Sequence, residues 1–366
     1  MNNVMVHVNN VCWLGGTMLH TLTVCKAYPE FRHVVYYVHS GESPQMVAML
    51  KEAGVETRIL IDKKLRCDED IAPLDPALII LNNTPGSFIE GVYPFSWLRA
   101  WPTVFYHHGP THPVIPCDLD IFNSRHLYET RYTKCRAQMT AIRFVGSYVD
   151  ADLFAKAVRP RPRTDQRVKI GKLASDQDVK FPSMIPRIFK RVEKALGHNR
   201  VSFDIVGGSK YYPKLGNDLV VYQSPDFGSR PVQDFYADWD ILLYITTDNY
   251  AETWCRVITE AMASGLAIVA EHKGAIPEQI THGHEGLLVK PHLPGASVSQ
   301  ADADIRCETT YVNFLVDLAQ SASRCRTLGE NAREKAMREF SLPAFRRKTI
   351  DALMGVMAGI RIESEA

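Results

Sequence analysis

Two glutamates in the second half of the chain could bind the hydroxyl groups of a ligand. Glu252 and Glu260 are separated by seven residues, and an apolar run at 240–245 that is typical of a buried strand precedes them. From Thr253 onward the pattern predicts a helix, which Gly265 ends. The amino end of such a helix attracts phosphate through its unpaired amides and its dipole, whereas carboxylates accept hydrogen bonds from hydroxyls. Together these features predict a site for a sugar nucleotide.

The order of motifs in this region resembles the retaining glycosyltransferases of family 4, also called glycosyl transferases group 1, which have the GT-B fold. The residues that carry the resemblance are Glu252-x7-Glu260, Glu260-Ala-Met-Ala-Ser-Gly265, Ile268-Val-Ala270, Gly274-Ala-Ile-Pro-Glu278 and His282-Gly-His-Glu-Gly-Leu-Leu-Val289. The resemblance implies an α/β chain with two Rossmann-like parallel-sheet domains that face each other across a cleft. It also implies a hexosyl- or pentosyltransferase that moves a sugar from a nucleotide-diphosphate sugar, a UDP-sugar first of all, to a hydroxyl acceptor with retention and without a metal.

The resemblance assigns roles to residues of the second half. Glu260 would bind the ribose hydroxyls and Glu252 the sugar hydroxyls near the reacting centre. Lys172, in the segment Ile170-Gly-Lys-Leu173, would act with Lys180 to neutralise the diphosphate, which gains negative charge as the glycosidic bond breaks. Backbone amides that would meet the sugar or the diphosphate belong to Thr253, Trp254, Cys255 and Arg256.

Three positions depart from the family pattern. Lys172 replaces the usual arginine, so the bidentate phosphate geometry is lost although the charge remains. Lys180 lies a little farther along the chain than usual, and Phe181 replaces the glycine that normally follows. Cys255 stands where relatives often have glycine, and we expect it to narrow the loop beside the sugar.

Two features of the first half match the same family. The loop 13–17, Trp-Leu-Gly-Gly-Thr, precedes a predicted helix, and Gly15 and Gly16 match the glycine loop that faces the donor diphosphate and the acceptor. A simple tight turn explains these glycines equally well. His108, before Gly109 at the end of a predicted strand, matches the cleft histidine that would contact a sugar hydroxyl or stabilise the oxocarbenium pair; a structural role is the alternative.

A metal site is not predicted. The series His107-His108-x-x-x-His112 has no carboxylate at a convincing spacing, and Asp118-Leu-Asp120 is interpreted as part of a strand rather than as a metal–diphosphate motif. Ser124 would then cap the following helix.

Other functions fit the same fold. A GT-B sugar-nucleotide epimerase or phosphorylase would share the architecture, and the unusual Lys172 and Cys255 fit a non-catalytic sugar-nucleotide-binding module. The acceptor could be a saccharide, a lipid-linked saccharide or a modified nucleic-acid base, the last suggested by the basic residues between Arg125 and Arg143. The sequence does not identify the sugar, the nucleotide base or the acceptor.

Composition sets outer limits on the class of protein. The chain has 366 residues, of which 46% are hydrophobic, and a net charge of +1, which together indicate two folded domains and exclude a strongly basic nucleic-acid binder. No apolar run is long enough to cross a bilayer, no secretory signal is visible, and the eight cysteines lack zinc-ligand spacing. We expect a cytoplasmic protein with reduced thiols, and peripheral contact with a membrane stays open.

Alternating elements on both sides of a basic, proline-rich segment predict the domain organisation. The segment 159–163, Arg-Pro-Arg-Pro-Arg, is interpreted as the linker. We therefore predict an acceptor domain at 1–160, a donor domain at 165–342, and a last helix within 343–366 that crosses back to the first domain. Strands are predicted at 4–8, 34–38, 57–61, 77–82, 103–107, 119–123, 168–173, 202–206, 219–222, 240–245 and 267–270, and helices at 17–27, 44–53, 185–196, 232–237, 309–340 and 343–360.

Overall fold

The computed structural model describes residues 3–12, 15–38, 43–91, 95–109, 114–155, 167–208, 221–224, 230–291 and 300–366. The chain divides into two compact units. Unit 1 consists of Met1–Tyr148 together with Leu342–Ala366, and unit 2 consists of Val149–Ser341. The linker predicted at 159–163 lies outside the described residues, as do Trp13 and His112.

Strands and helices alternate along both units. The strands are β1 Val4–Asn9, β2 Arg32–Tyr37, β3 Glu56–Ile59, β4 Leu78–Asn82, β5 Thr103–His107, β6 Leu119–Phe122, β7 Ile142–Phe144, β8 Val168–Leu173, β9 Val201–Val206, β10 Val221–Ser224, β11 Ile241–Tyr244, β12 Ala267–Glu271 and β13 Leu287–Val289. The helices are α1 Gly16–Ala27, α2 Pro44–Glu52, α3 Arg125–Leu127, α4 Ala151–Ala155, α5 Met184–Leu196, α6 Val232–Asp238, α7 Arg256–Ala263, α8 Ile276–Gln279, α9 Gln300–Gln320, α10 Ala322–Glu339 and α11 Leu342–Met357.

Each unit contains one parallel sheet. Among the described residues the order is β3-β2-β1-β4-β5-β6-β7 in unit 1 and β10-β9-β8-β11-β12-β13 in unit 2. In each sheet the chain first adds strands on one side of the unit's first strand and then adds strands on its other side. This switch lies between β1 and β4 in unit 1 and between β8 and β11 in unit 2. In such sheets ligands bind beyond the carboxyl ends of the strands at the point of reversal. Each unit therefore has one edge at which a ligand site is expected.

Burial on both faces explains why these strands are almost continuously apolar. In β11, Leu242 and Tyr244 contribute to one core cluster of unit 2, whereas Ile241 and Leu243 contribute to the cluster on the opposite face. Side chains alternate across a strand, so neighbouring residues reach different layers of helices. The polar loop after β11 is thus held by a strand that is anchored from both sides.

The last helix, α11, packs within unit 1. Phe345 is 1% exposed and joins the core cluster that contains residues of β1, β4, β5 and β6. Its neighbour Thr349 hydrogen-bonds the Tyr28 hydroxyl at 2.6 Å, and Arg346 forms a bidentate pair with Glu30 at 2.8 and 3.0 Å. The C-terminal helix of the chain therefore belongs to the same compact unit as the N-terminal sheet.

Two predicted helices differ from the structure. The single helix predicted at 309–340 is interrupted at Ser321, whose hydroxyl accepts a hydrogen bond from the Arg324 amide and caps a new helix, as serine does well. After Arg125 the helix α3 ends at Leu127 and is followed by π and 3-10 turns up to Gln138, because tyrosines and threonines in this stretch have low helix propensity. Ser124 does cap α3, through the Leu127 amide at 3.1 Å.

The helices in the described ranges include none that combines the length and the apolar character needed to span a membrane.

Candidate active site

Glu252 is the centre of a polar cluster beyond the carboxyl ends of β8 and β11. Its Oε1 accepts hydrogen bonds from the Lys180 ammonium at 2.8 Å and from the Tyr244 hydroxyl, while its Oε2 accepts one from Tyr250 at 3.4 Å. The side chains of Lys180 and Glu252 are only 15% and 7% exposed. Burial opposes the charged form of Lys180, but the Glu252 carboxylate outweighs it and raises the pKa of the lysine. The structure thus joins two predicted donor-binding residues in one ion pair.

Lys172 is completely buried beside Tyr244, which hydrogen-bonds Glu252 of this pair. Its Nζ donates to the Ile245 carbonyl at 3.1 Å and lies 4.2 Å from the centre of the Tyr244 ring, a cation–π contact. Burial lowers the pKa of Lys172 to about 8, against smaller opposing contributions from neighbouring acidic groups. Lys172 and Lys180 both contact tyrosines that surround Glu252, since Lys180 Nζ is 5.4 Å from the Tyr250 ring.

Glu260 lies on α7, eight residues after Glu252. It accepts hydrogen bonds from the Tyr236 hydroxyl at 3.1 Å and from the Arg256 guanidinium at 3.4 Å. Burial raises the pKa of Glu260, and Arg256 and Tyr236 partly offset this shift. The sequence singled out Glu260 but not Tyr236, which comes from α6 and reaches Glu260 only in the folded unit.

The helix α7 begins at Arg256. The sequence predicted a start at Thr253, which is wrong. Thr253, Trp254 and Cys255 form bends and extended backbone before it, and Trp254 packs edge-on against Phe340. The prediction failed because tertiary contacts to the preceding loop override local helix propensity.

Gln279 is a buried side chain that fixes this loop and that the sequence interpretation missed. Its Oε1 accepts from the Cys255 amide at 3.2 Å, and its Nε2 donates to the Cys255 carbonyl at 2.8 Å. The Cys255 amide is therefore already bonded, which corrects the expectation that it is available to a diphosphate. A polar residue directly after the Gly274-Ala-Ile-Pro-Glu278 turn was the only sequence signal for this role.

Gly274 completes the support of Glu252. The amide of Ala275 donates to the Glu252 carbonyl at 2.8 Å, and Gly274 has a φ of 63°. A Cβ at Gly274 would lie 2.5 Å from the Glu252 carbonyl oxygen. Only glycine satisfies both the left-handed backbone and the close approach.

Glu271 holds the other side of the loop after β11. Its carboxylate accepts from the Thr246 hydroxyl at 2.6 Å and the Thr246 amide at 3.2 Å, and it pairs with Lys273 at 3.1 Å. Lys273 also donates to the Thr247 carbonyl at 2.8 Å. Sequence reasoning missed both charged residues; an acidic residue at the end of the buried strand β12 was the available signal.

In unit 1 the amino end of α1 and His108 lie in the same neighbourhood. Gly15 is the N-cap residue of α1 and Gly16 its first helical residue. His20, one turn further along α1, contacts the His108 ring edge-on with centroids 4.6 Å apart. A Cβ at Gly15 would meet no atom of the described residues within 4 Å, so their packing does not require a glycine there.

Asp118 and Asp120 have structural partners. Asp118 accepts from the Thr103 amide at 2.8 Å, and one oxygen of Asp120 bonds His107 at 2.7 Å in a buried pair. Next to this pair the Tyr132 hydroxyl donates to the Gly109 carbonyl at 2.8 Å. These contacts anchor the turn that carries His108.

Comparison with known proteins finds a likeness in the second half of the chain. Residues 166–303, which contain both the Lys180–Glu252 pair and the Glu260 cluster, match the family model described as glycosyl transferases group 1. The segment 166–303 is therefore similar to glycosyl transferases group 1. A D-inositol 3-phosphate glycosyltransferase of Streptomyces coelicolor is 27% identical over 134 residues, which is 33% of this chain and 29% of that relative. The chain thus spans well under two thirds of the length of the curated relatives it matches.

Solved structures extend the likeness of the group 1 segment to the fold of the whole chain. The Anabaena protein HepE, in complex with UDP and glucose, has a TM-score of 0.68 at 17% identity and covers 96% of this chain and 99% of its own. The pneumococcal O-GlcNAc transferase GtfA, in complex with UDP and GlcNAc, has a TM-score of 0.67 at 10% identity, with 97% and 99% covered. The predicted GT-B fold, with its two parallel-sheet α/β domains, is confirmed.

Proposed function

We propose that the chain is a retaining glycosyltransferase whose unit 2 binds a nucleotide-diphosphate sugar, a UDP-sugar first of all, and transfers the sugar to a hydroxyl acceptor. The observation that carries the proposal is the buried Lys180–Glu252 pair, 2.8 Å apart, inside the segment that matches glycosyl transferases group 1. Similar folds are seen in complexes with UDP and with UDP-glucose, which supports uridine diphosphate as the leaving group.

The charges of the cluster suit such a donor. Lys172 and Lys180 supply positive charge for the diphosphate, so a metal ion is not needed for this purpose, while Glu252 and Glu260 accept hydrogen bonds from sugar and ribose hydroxyls. The amides of Thr253, Trp254 and Arg256 are assigned to the sugar and the diphosphate; the bonded Cys255 amide is not. On donor binding the diphosphate would share Lys180 with Glu252.

The oxygens of Glu252 accept three hydrogen bonds, which disfavours this carboxylate as a nucleophile. We therefore propose transfer on one face of the sugar. The bond from the anomeric carbon to the diphosphate breaks, the bond to the acceptor oxygen forms, and a donor phosphate oxygen takes the acceptor proton. His108 of unit 1 is assigned to a sugar hydroxyl or to the oxocarbenium pair, and the acceptor to unit 1.

A binding and hydrolysis screen tests the proposal. We expect one nucleotide-diphosphate sugar to raise the melting temperature in a thermal-shift panel, by an amount that grows with its concentration, and to be hydrolysed slowly to the nucleoside diphosphate without an added acceptor. The Glu260→Ala variant should lose most of the shift, whereas Glu334→Gln, at an exposed site on α10, should keep it. Absence of any shift by nucleotides or nucleotide sugars refutes the donor site. Binding without hydrolysis or transfer would favour the non-catalytic module, and an epimer of the donor would favour the epimerase.

Donor affinity should depend on pH through Lys172. Because the pKa of Lys172 is lowered to about 8, its ammonium is present below pH 8 and is lost as the pH rises through 8. Affinity for UDP should therefore be constant just above pH 7 and then fall, with a limiting slope of about tenfold per pH unit. The effect on folding has the opposite sign, since the unfolded chain binds more protons above pH 8 and stability rises there.

Calorimetric titration of wild type and Lys172→Arg with UDP between pH 7 and pH 9.5 measures this dependence. Arginine keeps its charge throughout, so the ratio of the two affinities isolates Lys172 from titration of the ligand. Parallel curves for the two proteins would contradict a role for the Lys172 charge.

A further inference from the structure

Three metal-ligating side chains converge in unit 1, outside the residues assigned to the donor or the acceptor. His7 comes from β1, His33 from the neighbouring strand β2, and Cys25 from the last turn of α1, which packs over these strands. All three are buried, with exposed fractions of 0%, 5% and 4%. Imidazole and thiolate are the ligands that bind zinc and monovalent copper most strongly in proteins.

The distances between the donor atoms fit a shared ion. His7 Nε2 lies 3.0 Å from His33 Nδ1 and 3.8 Å from Cys25 Sγ, and all three atoms lie within 4.8 Å of one another. Metal–nitrogen bonds of about 2.0–2.1 Å and metal–sulfur bonds of about 2.3 Å place such atoms roughly 3.3–3.8 Å apart. The two distances from His7 need changes of about half an ångström or less, whereas the distance from His33 Nδ1 to Cys25 Sγ, bounded by 4.8 Å, would shorten by up to about 1 Å.

The hydrogen bond on the far side of His33 prepares this ligand set. His33 Nε2 donates to the Tyr28 carbonyl at 2.8 Å, which leaves the lone pair of Nδ1 directed at His7 Nε2. A ligating histidine usually has a backbone carbonyl or a carboxylate in this position. Coordination through Nε2 needs the tautomer of His7 that carries its proton on Nδ1, and among the described residues this buried Nδ1 has no hydrogen-bond acceptor, so His7 lacks the support that His33 has.

The two histidines are in the neutral state that coordination requires, whereas the cysteine must lose a proton. Burial lowers the pKa of both His7 and His33, which keeps the imidazoles neutral and able to donate lone pairs. Burial raises the pKa of the Cys25 thiol, and Cys25 forms no disulfide. Binding of a metal ion would form the metal–sulfur bond and release the thiol proton to solvent.

We propose that His7, Cys25 and His33 bind a single closed-shell metal ion of the Cu⁺ or Zn²⁺ type, which cross-links β1, β2 and α1. With Cu⁺ the site is neutral, since one thiolate balances one positive charge, and three ligands suffice. With Zn²⁺ the site carries one net positive charge and lacks a fourth ligand, because the described His, Cys, Asp and Glu residues supply these three alone. Charge and coordination number both favour Cu⁺.

The test is the metal content of the full-length protein. Apoprotein is incubated anaerobically with Cu⁺ or with Zn²⁺, freed of loosely bound ions, and analysed for both elements. We expect about one ion of one element per chain in wild type and less than a tenth of that in Cys25→Ser. The matched control Cys117→Ser, which alters another buried cysteine of unit 1, should retain the ion.

Cobalt provides a readout that does not depend on a variant that folds. Co²⁺ added to wild-type apoprotein should give a thiolate-to-cobalt charge-transfer band in the near ultraviolet, and Zn²⁺ or Cu⁺ should abolish it by displacement. Wild type that takes up neither Cu⁺ nor Zn²⁺ and shows no such band overturns the proposal. Undiminished metal content in a folded Cys25→Ser variant does so as well.

Discussion

Replacing Glu252 by glutamine is expected to lower turnover by about 10²–10³-fold, the loss typical for a polar group that meets charge developing in a transition state. Glutamine keeps the shape of the side chain and one oxygen that accepts from Lys180 or Tyr244. The free energy of unfolding should therefore fall by only about 1–3 kcal/mol, the range for a weakened buried hydrogen bond. Release of nucleoside diphosphate from the donor measures the rate, and urea unfolding measures the stability.

Two further variants separate chemistry from folding in this prediction. Glu334→Gln makes the same chemical change at an exposed carboxylate and should leave both quantities unchanged. Lys180→Met removes the partner of Glu252, and combined with Glu252→Gln it should show strong non-additivity in stability, because the two side chains form one pair. A Glu252→Gln enzyme with turnover within about threefold of wild type would contradict the assigned role of Glu252.

Replacing Gln279 by leucine should destabilise the protein by about 2–5 kcal/mol and reduce turnover, although Gln279 contacts no ligand in the proposed mechanism. Leucine is of similar size but leaves the amide and the carbonyl of Cys255 without their partners in a buried place, and each such group costs about 1–3 kcal/mol. The loop that leads from Glu252 to α7 would then lose its fixed position.

Gln279 is a positioning residue, and the measurements must distinguish this from a general loss of stability. Gln279→Glu retains an acceptor for the Cys255 amide but repels the Cys255 carbonyl, so its turnover should lie between those of wild type and Gln279→Leu. We expect the donor KM to rise and kcat to fall at a temperature at which both variants remain folded. The control Gln320→Leu, at an exposed position, should change neither constant. Gln279→Leu with wild-type KM, kcat and stability would refute the role.

The resemblance to glycosyl transferases group 1 that the motif series predicts is confirmed for residues 166–303, and the reason lies in how local the signals are. Gly265 and Gly274 each satisfy a requirement of the nearby chain, a helix end or a left-handed turn, and Glu252 and Glu260 lie at a fixed spacing in the same stretch. Such requirements recur at fixed spacing, so sequence alone exposes them. The predicted roles of these residues toward a donor stay predictions until a ligand is bound.

Contacts between residues far apart in the sequence were harder to predict. Tyr236 reaches Glu260 across 24 positions of the chain, Gln279 reaches Cys255 across the same separation, and Lys180 pairs with Glu252 across 72. Nothing in the local sequence specifies which partner such a side chain meets. The same reason explains why α7 starts three residues later than predicted, since Gln279 of α8 bonds Cys255 and Phe340 packs against Trp254.

The sequence by itself determined the alternation of strands and helices and the spacing of the two glutamates, because apolar periodicity and turn chemistry are properties of short segments, whereas the GT-B class followed from the resemblance of the motif series to a known family. Only the tertiary structure decided that Lys180 is bonded to Glu252, that the Cys255 amide is already occupied, and that two histidines and a cysteine from three elements meet in unit 1. These outcomes depend on strand order and on packing between distant segments, which no local pattern encodes.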